Sequence, residues 1–270
     1  MALTEKRRRH LILLLRDVLE QRRLPPALAA KLFGKLGFAT TQMFGRFGRA
    51  QMAAFKRRQH EVNKVGLNHQ IERSIMWWLL ILAGPPARPV PASLTSKKVV
   101  VSYSDGEGGS AGVGVALWHR SLECPVAAYL RVPREVRLLW SKARGHALPS
   151  ERLNDIFSIE AVGPAVVLDQ WPHLVAGEMW VHFIDNVGAQ RCLVKGSSSV
   201  QAGDVIVSHT WEAVSKVQAL LWVDRVGSKS NPVDALSRGC MEGSWRHVVQ
   251  AVLPARLVSR LREELFLPRL

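Results

Sequence analysis

Four acidic residues, Asp105, Glu160, Asp185 and Asp234, stand where separate elements could carry them to one place. Asp105 follows a Val-rich run that reads as a strand, and Glu160 lies in the first turns of an apolar-periodic helix. Asp185 ends another short strand, and Asp234 falls in the first turn of a helix that Asn231 can cap and Pro232 can open. Taken singly, each has an ordinary reading, since strand-end Asp residues form turns and Asp near a helix start favours the dipole. Taken together they say more. Carboxylates at adjacent strand ends and on a covering helix can converge at one sheet edge, where they repel one another unless divalent cations neutralise them. Hard Mg²⁺ or Mn²⁺ suits such an all-oxygen site.

Competing chemistries find little support. Cys124, Cys192 and Cys240 are widely spaced, with no Cys-x-x-Cys pair, so they read as reduced, buried thiols rather than a disulfide framework or zinc site. The nine histidines are scattered without ligand spacing, and no Ser-His-Asp arrangement stands out. The glycines between Gly106 and Gly114 lack the Lys-Ser/Thr of a phosphate-binding loop and sit in a predicted hairpin, where they serve as turn residues. The nine Trp residues, among them Trp118, Trp171, Trp180, Trp211 and Trp222, read as core or sheet-face residues, with base stacking the lesser option.

The elements that must position the carboxylates follow from hydrophobic periodicity. Strands are expected over Lys98–Tyr103, Gly112–His119 and Val126–Val132, joined by a Gly-rich turn and by Ser121–Pro125. A helix is expected over Ile156–Leu174, a strand over Met179–Ile184, helices over Val187–Lys195 and Asp204–Gln218, and a strand over Leu220–Val226. Asn186 is placed to cap the helix after Asp185. This order fits an α/β fold, one mixed five-stranded sheet with helices on its faces.

Before residue 84 the pattern is helical throughout. Leu11, Leu14, Leu15, Val18 and Leu19 share a face of a helix that stops at Leu24-Pro25-Pro26, a second helix starts at Pro26, and a third is expected from Glu61 to Leu82. Gly34, Gly37, Gly45 and Gly48 either break that second helix or admit a close neighbour. A Pro-rich stretch over 85–97 marks a linker, which gives four parts: a helical region 1–84, the linker, an α/β domain 98–240 and a helical tail 241–270. Leu257, Leu261 and Leu265, with Arg256, Arg260 and Arg262, make that tail a surface helix.

Charge follows the same division. The net charge is +15, and residues 1–98 hold 19 Lys and Arg against 5 Asp and Glu, while the remainder holds 18 against 17. A basic surface so concentrated points to nucleic acid as the partner, by counterion release. The longest apolar run, Ile75 to Ala83, falls short of the ~20 residues of a membrane span. With no signal-peptide core either, an intracellular protein of cytoplasm or nucleus is expected, with no membrane association.

Four segments in this chain resemble the ribonuclease H-like domain attached to retroelement reverse transcriptases: Tyr-Ser-Asp-Gly-Glu-Gly-Gly at 103–109, Ser-Ile-Glu-Ala at 158–161, Phe-Ile-Asp-Asn at 183–186 and Ser-Lys-Ser-Asn-Pro-Val-Asp-Ala-Leu-Ser-Arg at 228–238. They occur in the family's order, and Ala27–Arg58 looks like the thumb or connection region of such elements. The resemblance implies a ribonuclease H-like sheet and hydrolysis of the RNA strand of an RNA–DNA hybrid. It further implies two Mg²⁺ or Mn²⁺ ions ~3.5 to 4 Å apart, held by Asp105, Glu160, Asp185 and Asp234. Asn186, Lys195, Asn231 and Arg238 would contact substrate or orient the site, and Ser197–Ser199 are further candidates for phosphate or sugar contacts.

The sequence also departs from that family. No Tyr-x-Asp-Asp pair occurs, so polymerase activity is not expected from this chain alone and a palm would come from another chain. No histidine stands in Gly227–Ser230, where many ribonucleases H carry one near the fourth carboxylate, and Arg134–Asp155 is longer than a minimal connection, as an insertion would be. Two alternatives stay open: a catalytically inactive retroelement remnant or nucleic-acid-binding scaffold, and an integrase-like nuclease on the same fold.

Overall fold

The computed structural model describes residues 2–43, 46–87, 99–143, 155–241, 245 and 247–266. The chain divides into two compact units between residues 91 and 92. Residues 85–87 carry no helix or strand, and the rest of the expected linker lies outside the described residues. No helix among the described residues is long and apolar enough to cross a membrane.

The first unit is helical, with α1 (Glu5–Glu20), α2 (Pro26–Gln42), a 3₁₀ turn at Ala50–Met52, α3 (Ala53–Arg58) and α4 (His69–Ala83). Pro26 opens α2 at its first position, where a missing N–H costs nothing. Ala29, Leu32, Leu36 and Ala39 then bury one stripe of it. Neither Gly34 nor Gly37 breaks this helix, whereas Gly48 adopts φ +80° and brings the backbone against Trp78, whose ring would lie 2.8 Å from a Cβ there. The predicted helix over Glu61–Leu82 is shorter than expected. It starts at His69 because Asn68 caps it, its side chain accepting from the Ile71 N–H at 2.9 Å. The preceding turn is pinned by the buried Arg58, which donates to the Leu24 and Gly66 carbonyls at 3.2 and 2.7 Å and to Glu61 at 2.9 Å.

The second unit is an α/β fold around one mixed sheet. Its strands are β1 (Val99–Glu107), β2 (Gly112–Trp118), β3 (Val126–Arg131), β4 (Met179–Ile184), β5 (Leu220–Arg225) and β6 (Val248–Gln250), in the spatial order β5-β4-β1-β2-β3-β6. β1, β2 and β3 are antiparallel neighbours, β4 and β5 run parallel to β1, and β6 runs parallel to β3. The sheet therefore has six strands rather than five, the sixth drawn from the expected tail. That tail is also less separate than expected, since α12 (Ala255–Phe266) buries Leu257 and Leu261 against this unit and Arg260 pairs with Glu212 at 2.8 Å.

Alternation along the strands sorts the faces. Val100, Ser102 and Ser104 of β1 and Trp180, His182 and Ile184 of β4 are buried, beneath the helices α6 (Ile156–Ala161), α7 (Gly163–Gln170) and α10 (Gln201–Val217) that complete this layer. The single helix expected over Ile156–Leu174 is three pieces, α6, α7 and α8 (Pro172–Val175), because Pro164 and Pro172 each start a new helix. On the opposite face Leu236 of the short α11 (Asp234–Ser237) and Val233 just before it pack against Ala116 and Ala127. The helix α5 (Arg134–Ala143) occupies the start of the expected insertion, whose residues 144–154 lie outside the described residues. Five of the nine tryptophans, Trp78, Trp140, Trp171, Trp180 and Trp211, are buried, while Trp222 stands 66% exposed on the edge strand β5.

Candidate metal centre

Three of the four predicted carboxylates meet at one end of the sheet. Asp105 lies near the end of β1, Asp185 directly follows β4, and because the two strands run parallel in register, Ser104 pairing with Ile184, their acidic residues leave the sheet side by side. Glu160 reaches the same point from α6. Gly106 makes this possible: a Cβ there would lie 2.8 Å from the Ile159 side chain and 3.1 Å from the Glu160 backbone nitrogen, so any larger residue would push α6 away from β1. One carboxylate oxygen from each of Asp105, Glu160 and Asp185 lies within 4.8 Å of the others.

The electrostatics of this group are unfavourable without a cation. Asp105 and Glu160 are each only 4% exposed. Burial, reinforced by the neighbouring charges of Asp185 and Asp105, pushes the Glu160 carboxyl up to about 10. Burial also raises Asp105 to about 6, against the pull of a Ser237 hydrogen bond and with the help of the Asp185 and Asp234 charges. Glu160 Oε2 and Asp185 Oδ1 are buried with no hydrogen-bond partner. Without a cation the pair is relieved only by the proton that Glu160 retains and shares with Asp185, and a divalent cation would take that proton's place between them. Oxygens around one Mg²⁺, each at about 2.1 Å, lie about 3 to 4 Å apart, so a small closing movement would suffice. The donor set, three carboxylates and no nitrogen or sulfur, fits such an ion.

Asp234 does not join the three. It is close enough for its charge to act on Asp105, yet its own carboxylate is held by Arg238, with Oδ1 at 2.9 Å from Nη2 and Oδ2 at 3.3 Å from Nε. Both partners are substantially exposed, so this pair is weak and open to exchange.

Asn231 keeps a local acceptor role, its Oδ1 taking the Val233 N–H at 3.4 Å, but α11 begins only at Asp234 with Val233 at its cap position. The Asn231 amide nitrogen donates in the other direction, to the Ser104 carbonyl at 3.0 Å and to Asp105 Oδ1 at 3.3 Å, satisfying buried acceptors. Asn186 does cap its helix, α9 (Val187–Lys195), accepting from the Ala189 N–H at 3.0 Å. Lys195 sits in the last turn of α9, at the far end from Asn186, and Ser198 is taken up locally, its N–H donating to Asp204 and its hydroxyl accepting from Val200.

Sequence reasoning missed Ser237, fully buried, whose hydroxyl donates to Asp105 Oδ2 at 2.5 Å. Its contact spans 132 positions, so no local pattern announces it. The same reasoning placed Gly112 and Gly114 in the expected strand Gly112–His119 but gave them only a turn role. They lie within β2, where a Cβ would meet the Ser237 carbonyl at 2.0 Å and the Ser237 nitrogen at 2.7 Å respectively. These glycines let α11 rest directly on the strand. A second buried network lies behind the site: His182 bridges Ser102 (Nδ1, 2.7 Å) and Ser104 (Nε2, 2.9 Å), and the Trp180 indole donates to Ser102 at 2.6 Å. It ties β1 to β4 just before their acidic ends. No protein-family model matches this chain, and no curated protein is found similar to it.

Proposed function

We propose that the α/β unit is a divalent-metal-dependent nuclease that hydrolyses the RNA strand of RNA–DNA hybrids, as the ribonuclease H part of a retroelement reverse transcriptase. The observation that carries this reading is the convergence of Asp105, Glu160 and Asp185, two of them almost fully buried, at one end of a sheet whose first three strands are antiparallel and whose next two are parallel. Asp105, Glu160 and Asp185 would hold one ion, and Asp105 with Asp234 a second. Bound there, Mg²⁺ or Mn²⁺ would supply an activated water and neutralise charge on the scissile phosphate.

The remaining work falls to the chain's own groups. Asp105 is oriented from both sides of its carboxylate by Ser237 and Asn231. Arg225, Lys229 and Arg238 are exposed on or after β5, at the same end of the sheet, and offer guanidinium and ammonium donors to the sugar–phosphate backbone. Choice of the RNA strand would rest on contacts to 2′-hydroxyls across the minor groove. The basic residues of the helical unit add sequence-independent affinity.

A second reading, a nucleic-acid-binding scaffold that cuts nothing, is favoured by the pairing of Asp234 with Arg238 outside the three-carboxylate group. One experiment separates them. The purified protein and its Asp185→Asn variant are incubated with Mg²⁺ or Mn²⁺ and labelled RNA–DNA hybrid, RNA duplex or DNA duplex. Cleavage confined to the hybrid and lost in the variant is expected; binding without cleavage under either metal would establish the scaffold instead.

A further inference from the structure

We propose that Ser237 and Asn231 are positioning residues, a two-donor clamp that fixes the plane of the Asp105 carboxylate for metal binding; the inference rests on the metal reading above. Each donor takes a different oxygen. Ser237 donates to Oδ2 at 2.5 Å and Asn231 to Oδ1 at 3.3 Å, so rotation of the carboxylate about its Cβ–Cγ bond breaks both bonds together. Each oxygen keeps a second lone pair for a cation. The Ser237 hydroxyl also lies 2.8 Å from the Asp234 carbonyl, but its single proton goes to the carboxylate, the stronger acceptor.

The clamp is held rigidly from behind. Asn231 makes its second donation to the Ser104 carbonyl at 3.0 Å, which anchors it to the strand that bears Asp105. Ser237 is carried by α11, whose Leu236, with Val233 just before the helix, is buried on Ala116 and Ala127, and whose backbone rests on Gly112 and Gly114. Both donors are themselves buried, at 0% and 6% exposure, so water does not compete for Asp105 in their place. By contrast Glu160 Oε2 and Asp185 Oδ1 have no side-chain donor of this kind, Glu160 being met only by the Gly106 backbone and by Asp185 itself. Asp105 is thus the member of the group whose plane is set by two side-chain donors. Groups that orient a ligating carboxylate in this way are worth roughly tenfold to hundredfold in metal affinity.

Mn²⁺ binding to the full chain tests this directly, by calorimetry or by the electron paramagnetic resonance of the free ion, without any turnover. Ser237→Ala and Asn231→Ala each remove one donor, Ser237→Thr keeps the hydroxyl, and Leu257→Ala on α12 serves as a destabilised control remote from the site. Thermal unfolding in EDTA confirms that each variant is folded at the temperature used. The expected result is a dissociation constant raised about tenfold or more in Ser237→Ala and in Asn231→Ala. Recovery in Ser237→Thr and no change in Leu257→Ala complete the expectation. Constants within twofold of the unsubstituted protein in both alanine variants would overturn the clamp and leave the metal reading standing. Absence of Mn²⁺ binding by the unsubstituted protein would overturn both.

Discussion

His182 offers a test of how the two acid-bearing strands are held. Its imidazole is completely buried between β1 and β4, and burial lowers it from an ordinary value of 6.5 to about 3. The ring is therefore neutral in the folded protein at pH 5 and protonated in the unfolded one. A base depressed in this way contributes fully above its unfolded pKa and loses that contribution as pH falls below it. The loss is negligible at pH 8 and reaches about 2 kcal/mol at pH 5. Asp105, Glu160 and the other buried histidine, His209, titrate as well, so the measurement must be a difference. Urea unfolding of the unsubstituted protein and of His182→Gln, in EDTA at pH 8, 7, 6 and 5, provides it. The variant is less stable throughout, because Ser102 and Ser104 lose their shared partner, but the gap between the two proteins narrows by about 2 kcal/mol from pH 8 to pH 5. Parallel curves across that range would refute the argument, since they would mean that the imidazole reaches solvent or takes up its proton without penalty.

Other expectations follow from packing and charge. Mn²⁺ at a hundred times its dissociation constant raises the unfolding free energy by about 2.7 kcal/mol, read as an EDTA-reversible shift in melting temperature, and Asp185→Asn abolishes the shift. Gly112→Ala drives a Cβ into the Ser237 carbonyl and costs about 1 to 3 kcal/mol in urea unfolding, together with weakened Mn²⁺ binding. Arg58→Ala strips the Leu24 and Gly66 carbonyls of their buried donor and destabilises the helical unit by about 3 kcal/mol, seen as early loss of helical circular dichroism.

Much of the architecture is legible because punctuation residues sit at the element ends. β4 and α9 match their predicted bounds, with Asn186 capping the helix and Gly196, at φ +80°, ending it. The break of Ile156–Leu174 into three helices was also written in the sequence, at Pro164 and Pro172, and was overlooked because apolar periodicity continues across both. β6 is different in kind: three residues carry no period of their own, and only pairing with β3 makes them a strand. At the site, residue type and position along a strand or helix were enough to nominate Asp105, Glu160 and Asp185. What could not be read was the long-range half of Asn231, whose oxygen stays with the nearby Val233 N–H while its amide nitrogen reaches Ser104 and Asp105, more than a hundred positions away.

The crowding of Asp105, Glu160 and Asp185 has a consequence for how such a chain changes over generations. Without a cation, carboxyls buried side by side must hold protons that the unfolded chain gives up at neutral pH, which lowers the stability of the fold, so Glu160→Gln or Asp105→Asn would strengthen a protein that no longer needed to hold one. Gly112 and Gly114 answer to the backbone packed on them and admit no such relief, whatever the chain does. Copies drifting without selection for chemistry would shed the acids first and keep the glycines longest. Acids and glycines stand together in this chain, under two different constraints.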